Sequence, residues 1–439
     1  MKRKLRKILC VVMSSAMVIS LAACSQSPTT TSSNQSGSTA SVGTQAKQVK
    51  LTLWDINSAE TDPKYKPRQA ALEELKKQMP NVTVETSYFQ DAAYATKLPV
   101  AAASGELPDI FFDWAGGRTQ PLADAGNLLD LTPYESQLKG EILPSAITNC
   151  YYGGKLMTVP SVIQVGMMYY NKDIFDKNGV AIPETWSQLT AAIKTLKAKG
   201  VVPMALGAKD LWPGCYLQNG LAARLVGVDT MTKTLKGQAS FETPEIIQSA
   251  QMMIDLTNNG AFAPNVMGVD WNEAYQQFLQ GKTAMTFNGS WISGMLQNDK
   301  VAFNVVVKNM PAVDGSKADQ NTFVGGSGDL YMINSKTADK DTAVKFLEGL
   351  MKNYLKHQSE DAGAISGWKL DNVDSSKIGP IVKQQNSLIE TATGFGPVWD
   401  TTLAAKAADT HHNLVSELIA KKITAQEFAK QSQQAVASK

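Results

Sequence analysis

The segment VKLTLW at residues 49–54 alternates apolar and polar side chains, as a half-buried β-strand does. Residues 66–79 follow with apolar side chains at helical spacing, and VTV at residues 82–84 is again strand-like. A helix of small residues is predicted over residues 91–103, and DIFF at residues 109–112 reads as a buried strand. This β-α-β-α-β order predicts a mainly parallel sheet with helices on both faces, so the fold class is α/β.

The same alternation continues downstream. A helix is predicted over residues 183–199 with Thr185 as its N-cap, and a strand over residues 284–287 leads into another helix. Two further helices are predicted over residues 400–420 and 424–435.

Composition narrows the functional classes. The chain has 439 residues, which is enough for two or three domains with sizeable cores. Its 42 Lys and Arg against 40 Asp and Glu argue against a basic nucleic-acid-binding surface. Four cysteines are too few for a disulfide scaffold in a chain of this length. Cys150 and Cys215 could pair outside the cell, and the sequence leaves that open.

The N-terminus carries export signals. Residues 2–7 are mostly basic, residues 8–23 are uncharged and largely apolar, and LAAC at residues 21–24 resembles the bacterial lipobox. We therefore predict a signal peptide over residues 1–23 and lipidation of Cys24. Of residues 25–48, 16 of 24 are Ser, Thr or Gln, which predicts a flexible linker between the lipid anchor and the folded body.

Several stretches together resemble one family, the family 1 extracellular solute-binding proteins of bacterial ABC importers, in the carbohydrate-binding cluster to which maltose-binding protein belongs. The matching stretches are GELPDI (105–110), YYNKDIF (169–175), PETW (183–186), FLQGKTAM (278–285) with NGSW (288–291), and VGGS (324–327).

The resemblance implies a two-lobe, type II periplasmic-binding-protein-like fold with a ligand cleft between the lobes. By analogy, the first lobe holds residues 49–160 and 327–360, and the second holds residues 161–326 and 361–439. A physical argument agrees, because ligands of open α/β sheets bind at the carboxyl ends of the strands, where helices begin.

A sugar needs aromatic planes for its C–H faces and amides or carboxylates for its hydroxyls. Six tryptophans lie near predicted turns or element ends and are candidate ligand residues: Trp114, Trp212, Trp271, Trp291, Trp368 and Trp399. Trp291 and Trp399 are favoured, because they occupy positions where the family places sugar-stacking aromatics. The alternative for each is a tryptophan that covers a helix end.

Four further residues are candidates. Asp113 follows a buried strand and is either a ligand acceptor or a helix N-cap. Asn57 contacts a hydroxyl or forms an Asx-turn. Gln164 stands where the family often carries an acidic sugar ligand. Gly326 offers a backbone N–H or permits a turn. Asp270 is expected to cap the helix that follows it.

Other functions find less support in the sequence. No Gly-x-Ser-x-Gly elbow, His-Glu-x-x-His or Cys-x-x-Cys motif occurs, although a surface glycosidase needs only two carboxylates and stays open. The same fold could bind iron, a polyamine or a peptide instead of a sugar, and the pairs Tyr151-Tyr152 and Tyr169-Tyr170 are of a type that ligates iron. The second pair is better explained as part of a strand, and the six candidate tryptophans favour a sugar over a bare ion.

The sequence and the resemblance together predict a non-catalytic capture protein. We expect a sugar or oligosaccharide ligand, an ABC permease as membrane partner, and no cofactor, metal or nucleic acid. The expected state is a lipid-anchored monomer on the outer face of a bacterial cytoplasmic membrane, extracellular or periplasmic.

Overall fold

The computed structural model describes residues 47–56 and 64–437, and within them the chain forms fourteen strands and seventeen α-helices. The strands are β1 (Val49–Ile56), β2 (Val82–Phe89), β3 (Ile110–Trp114), β4 (Tyr151–Tyr152), β5 (Lys155–Leu156), β6 (Val159–Pro160), β7 (Val162–Asn171), β8 (Val202–Ala205), β9 (Thr283–Gly289), β10 (Val305–Lys308), β11 (Thr322–Ser327), β12 (Asp329–Ile333), β13 (Ile365–Ser366) and β14 (Gly394–Gly396). The helices are α1 (Tyr65–Gln78), α2 (Asp91–Ser104), α3 (Gln120–Asp124), α4 (Glu135–Glu141), α5 (Pro144–Ile147), α6 (Lys172–Lys177), α7 (Trp186–Ala198), α8 (Trp212–Val226), α9 (Val228–Leu235), α10 (Pro244–Asn258), α11 (Trp271–Leu279), α12 (Trp291–Asn298), α13 (Lys340–Ala362), α14 (Pro380–Glu390), α15 (Trp399–Thr402), α16 (Ala405–Ile419) and α17 (Ala425–Ala437).

The first sheet has the strand order β2-β1-β3-β12-β6. Strand β1 pairs in parallel with β2 and β3, which confirms the β-α-β-α-β unit predicted from the sequence. Strand β12 then runs antiparallel to both β3 and β6. The sheet is therefore mixed, with its parallel part built from the N-terminal strands.

The second sheet has the order β14-β11-β7-β9-β8, and β10 and β13 also pair with β7. Strand β7 is ten residues long and buried at every position except Gln164. Strands β8 and β9 are parallel, whereas β7 is antiparallel to β9 and β11. Strand β7 is thus the axis on which the second sheet is assembled.

The chain passes between the two sheets at three places. It passes from β6 to β7 through Ser161 and from β11 to β12 through Gly328. It crosses a third time after α13, which packs on α1 of the first sheet and leads to β13 on the second. The result is a two-lobe α/β fold with one sheet in each lobe.

No helix among the described residues is both long and apolar enough to cross a bilayer.

Local signals read from the sequence have their expected structural roles. The Thr185 side chain accepts a hydrogen bond from the N–H of Gln188 and forms a capping box with it, which confirms the predicted start of α7. Asp270 accepts one from the N–H of Glu273 at 2.9 Å, so the predicted cap of α11 is also confirmed.

A buried ion pair closes the carboxyl end of β1. The Arg68 Nε atom lies 2.7 Å from Asp55 Oδ2, and both side chains are almost fully buried. The Tyr331 hydroxyl donates to the same Asp55 oxygen at 2.8 Å, and Arg68 Nη1 donates to the Ile56 carbonyl at 2.8 Å. Strands β1 and β12 and helix α1 are therefore joined by one satisfied polar network.

Replacing Arg68 by alanine should lower the free energy of unfolding by about 3–5 kcal/mol, because the Asp55 carboxylate would stay buried without its cation. Urea denaturation of wild type and variant measures this loss. Arg118→Ala is the matched control: that side chain is exposed, so its removal should cost less than about 1 kcal/mol. Equal losses in the two variants would contradict a structural role for the Asp55–Arg68 pair.

Candidate functional site

Three tryptophans meet at the helix starts of the second lobe. Trp212, Trp271 and Trp291 are the first residues of α8, α11 and α12. The ring centroids of Trp212 and Trp271 are 6.2 Å apart, and those of Trp212 and Trp291 are 5.9 Å apart. All three side chains are partly exposed. We call these three residues the tryptophan cluster.

The topology explains why the rings converge. Strands β8 and β9 are parallel, so their carboxyl ends lie at the same edge of the sheet. Helix α8 follows β8 and α12 follows β9, which brings the first residues of both helices to this edge. Helix α11 precedes β9 and returns along the sheet, so its own start lies at that edge too.

Each outer ring of the cluster has a buried tyrosine against it. Tyr216 stacks on Trp291 with ring centroids 6.0 Å apart, and Tyr275 stacks on Trp271 at 5.8 Å. Both tyrosines are 6% exposed or less. Sequence reasoning missed them. Each follows a candidate tryptophan by four residues, and this spacing predicts that both side chains lie on the same helix face.

Hydrogen bonds and one glycine hold the cluster in place. The Trp271 backbone N–H donates to Asp210 at 2.7 Å, and its indole Nε1 donates to Asn288 Oδ1 at 3.3 Å. The ring of Trp291 folds back over Gly289, where an added Cβ would lie 1.9 Å from a ring carbon. Only glycine at residue 289 permits this ring position.

On the first lobe, Asp113 and Trp114 end strand β3. Trp114 is partly exposed, its ring is 5.0 Å from that of Phe112, and the Arg118 guanidinium lies 4.8 Å above it. Asp113 is buried and accepts hydrogen bonds from the Trp114 N–H at 2.9 Å and the Thr119 hydroxyl at 3.3 Å. Asp113 therefore shapes the turn that presents Trp114.

Burial raises the pKa of Asp113 to about 7, against the opposing effects of the Trp114 N–H, Arg118 and the Thr119 hydroxyl. The negative charge of the ionised Asp113 carboxyl also contributes to the raised pKa values of Tyr94 and Tyr152. A carboxyl that keeps its proton near neutral pH can donate as well as accept a hydrogen bond.

A polar group lies where the chain crosses between the lobes. Gln164 Nε2 donates to Asp329 Oδ2 at 3.3 Å, and the Lys64 ammonium is 2.9 Å from the same oxygen. Asp329 was missed by sequence reasoning, because nothing local distinguishes it from other strand-initial carboxylates. Gly326, expected to permit a turn or offer an N–H, lies inside β11 opposite Gln164 and not in a turn.

Two candidate tryptophans lie elsewhere. Trp399 is fully buried, with Phe241 5.4 Å and His411 4.9 Å from its ring. Trp368 is 2% exposed, and its indole N–H donates to the Pro160 carbonyl at 2.6 Å. These placements differ from the ligand-contacting roles expected of both residues, because rings enclosed by protein have no face left for a sugar.

The remaining expectations fall on other parts of the chain. Asn57 and Cys24 lie outside the described residues. Cys150 and Cys215 are both buried and free, so they do not form a disulfide with each other. Within residues 47–56 and 64–437, no group of three or more His, Cys, Asp or Glu side chains is arranged to hold a metal ion.

The protein has two lobes, each built on one sheet, and the chain crosses between them at three places. Aromatic side chains lie at the carboxyl ends of strands in each lobe. These features define a two-lobe ligand-binding protein. The profile of the bacterial extracellular solute-binding protein family matches residues 58–353, and the chain belongs to this family. The fold and function implied by the sequence resemblance are thus confirmed at the level of the family.

Individual relatives agree with this assignment. A solved structure from a study of xylan utilization by the thermophilic bacterium Caldanaerobius polysaccharolyticus is 37% identical, with a TM-score of 0.82, and the match covers 88% of this chain and 99% of that one. A chitin oligosaccharide binding protein is 25% identical with a TM-score of 0.79, covering 89% and 98% of the two chains. The multiple sugar-binding protein of Streptococcus mutans is 25% identical over 359 residues, which is 78% of this chain and 81% of the relative.

The raised pKa of Asp113 predicts a pH-dependent stability. The folded state keeps this proton up to about pH 7, whereas the unfolded chain releases it near pH 4, so the folded state binds more protons in between. The free energy of unfolding of wild type should therefore fall as pH rises through this window. Asp113→Asn removes the ionisation, so the variant should gain roughly 3 kcal/mol relative to wild type between about pH 5 and 8.

Urea denaturation across that range tests this expectation. Asp130→Asn is the control, because hydrogen bonds from Thr132 and Lys155 lower the pKa of Asp130 to about 2. Asp130 is thus ionised in both states throughout the window, and its variant should show a constant offset from wild type. A constant offset for Asp113→Asn as well would contradict the buried, protonated carboxyl.

Proposed function

We propose that this protein captures a neutral oligosaccharide between its lobes and delivers it unchanged to an ABC permease. The observation that carries the proposal is the tryptophan cluster, in which three partly exposed indoles stand side by side where three helices begin. Aromatic faces pack against the C–H faces of sugar rings while their surroundings hydrogen-bond to hydroxyls. Asp210 and Asn288, which accept hydrogen bonds from Trp271, are polar groups beside that surface.

The proposed lobe boundaries are residues 49–160 with 327–360 for the first lobe and residues 161–326 with 361–439 for the second. The membership of the two sheets supports this division, since β1, β2, β3, β6 and β12 form one sheet and the other long strands form the second. Gly367 and Lys369 hydrogen-bond to Leu143 and Glu141, so the chain touches the first lobe once more after α13.

Both lobes contribute to the proposed site. The tryptophan cluster forms the wall on the second lobe, and Trp114 with Asp113 forms the part on the first. Gln164, on β7 just past the crossing, hydrogen-bonds to Asp329, whose strand position is paired with that of Trp114. A ligand shifts the lobes toward closure only through its greater affinity for the closed state, so groups from both lobes have to contact it.

An oligosaccharide fits this surface better than a single sugar. Adjacent ring centroids are about 6 Å apart and the ring planes are tilted by 38° and 59°, so three separate aromatic faces are present for more than one sugar unit. The chitin oligosaccharide binding protein and the multiple sugar-binding protein among the relatives support the same ligand class. We propose that binding involves no turnover, in keeping with the relatives, which are binding proteins.

The variants Trp212→Ala, Trp271→Ala and Trp291→Ala should each bind oligosaccharide more weakly by about 1 kcal/mol or more, because each substitution removes one stacking face. A thermal-shift screen of xylo-, chito- and malto-oligosaccharides, raffinose and stachyose identifies a ligand, and calorimetry then gives the affinities. Phe175→Leu is the control: it should lower the melting temperature while leaving affinity unchanged, since that ring is fully buried and packs on Tyr170 rather than on the tryptophan cluster. Full affinity in all three alanine variants would contradict the proposed site.

We further propose that the protein is lipid-anchored through Cys24 and acts outside the cytoplasmic membrane. The basic N-terminus, the apolar run and LAAC at residues 21–24 support this. Cys24→Ser should release the protein from the membrane fraction into the medium or periplasm, measured by immunoblotting of cell fractions. Cys10→Ser, inside the same apolar run, should leave the protein in the membrane fraction. Membrane retention of the Cys24 variant would contradict the anchor.

A further inference from the structure

Two backbone segments from different lobes touch. The turn after β3, on the first lobe, meets the end of α15, on the second. The Gly117 N–H donates a hydrogen bond to the Thr401 carbonyl at 3.0 Å. This is a direct backbone hydrogen bond between the lobes, and neither residue belongs to the proposed ligand set.

The contact requires glycine on the first lobe. A Cβ added at Gly117 would lie 2.3 Å from the Leu403 carbonyl oxygen and 2.8 Å from the Leu403 carbonyl carbon. At Gly116 an added Cβ would lie 2.8 Å from the Thr401 oxygen. These neighbours are backbone atoms, which cannot rotate away as the end of a side chain can. The two segments therefore approach as closely as they do only because both residues lack a side chain.

Gly116 and Gly117 differ in one useful respect. Gly116 has φ of +85°, so any side chain there would strain the turn itself. Gly117 is not among the residues with positive φ. A methyl group at residue 117 is thus compatible with the conformation of its own turn and obstructs only the approach of the other lobe.

Each segment is anchored within its own lobe. On the first lobe, the Gly116 N–H donates to the Tyr152 hydroxyl at 3.2 Å. On the second lobe, Trp399 is fully buried and its backbone N–H donates to Asn219 at 2.9 Å. Each segment is therefore held in position by contacts of its own, apart from the hydrogen bond that joins the two.

We propose that the Gly117–Thr401 contact is a latch that stabilises the closed arrangement of the lobes. Opening the cleft separates the two segments and breaks the hydrogen bond, and closing restores it. The turn that carries Gly117 begins directly after Trp114, the last residue of β3, so the latch lies next to the first-lobe ring. Because the closed state is the one that holds ligand on both sides, a latch raises the apparent affinity without touching the ligand.

This inference also gives Trp399 a role. The buried indole fixes α15, and α15 presents the Thr401 carbonyl and leads into Leu403. The aromatic expected to stack on the ligand would then support ligand binding indirectly, as a positioning residue for the second half of the latch.

The test compares Gly117→Ala with Gly140→Ala in the ligand-free, full-length protein. Gly140 is in the same lobe, has no positive φ, and an added Cβ there would meet no atom within 4 Å. Spin labels on Lys77→Cys in α1 and Lys194→Cys in α7 report the distance between lobes, since both sites are exposed. The native thiols of Cys150 and Cys215 are buried and do not take the label, and Cys10 and Cys24 are replaced by serine in every labelled variant.

Wild type and Gly140→Ala should share a population at the inter-lobe distance of this structure, and Gly117→Ala should lower the ratio of that population to the open one about fivefold or more, the equivalent of one backbone hydrogen bond. An unchanged distribution in Gly117→Ala, or the absence of the closed population from wild type, would overturn the latch. Neither readout uses a sugar, so failure here is separate from failure of the proposed ligand class.

Hydrogen exchange of wild type gives a second measurement if Gly117→Ala does not fold. The Gly117 amide should be protected in the ligand-free protein, because its acceptor is a carbonyl of the other lobe. Exchange of this amide at the rate of an unstructured chain would also overturn the proposal.

Discussion

The parallel pairing of β8 with β9 is the constraint on which the candidate site depends. Parallel strands send their following helices from the same sheet edge, and here that edge receives the starts of α8, α11 and α12. Each of these helices begins with a tryptophan. The cluster therefore results from topology, with one aromatic residue at each helix start.

The sequence predicted the fold better than the site because the two depend on different information. Strand and helix periodicity is local, and β1, α1, β2, α2 and β3 all lie within a few residues of their predicted bounds. Burial of one ring depends on packing partners far away in the chain. Trp399 follows a loop motif, yet it is enclosed by Phe241, which is more than 150 residues away in sequence, and by His411 on the following helix.

The same difference explains what sequence reasoning found and missed in the cluster. The motif after β9 singled out Trp291, and proximity to turns added Trp212 and Trp271, but spacing alone could not show that the three meet. Asp329 is recognisable only once β12 is known to start at a crossing between lobes, where Lys64 and Gln164 reach it. Such contacts are set by long-range pairing, which no window of sequence contains.

At both functional surfaces, a glycine allows another group to come closer to the backbone than any side chain would permit. Gly289 lets the Trp291 ring lie against β9, and Gly117 lets one lobe reach the carbonyls of the other. In each case the missing side chain creates a specific contact: a ring held in one orientation, and a closed state with its own stabilising hydrogen bond. A binding protein must close on its ligand and later release it, so each closing contact has to be individually modest. One backbone hydrogen bond contributes about 1 kcal/mol. That is enough to bias the lobes toward closure and too little to hold them shut, which leaves the ligand as the deciding contribution.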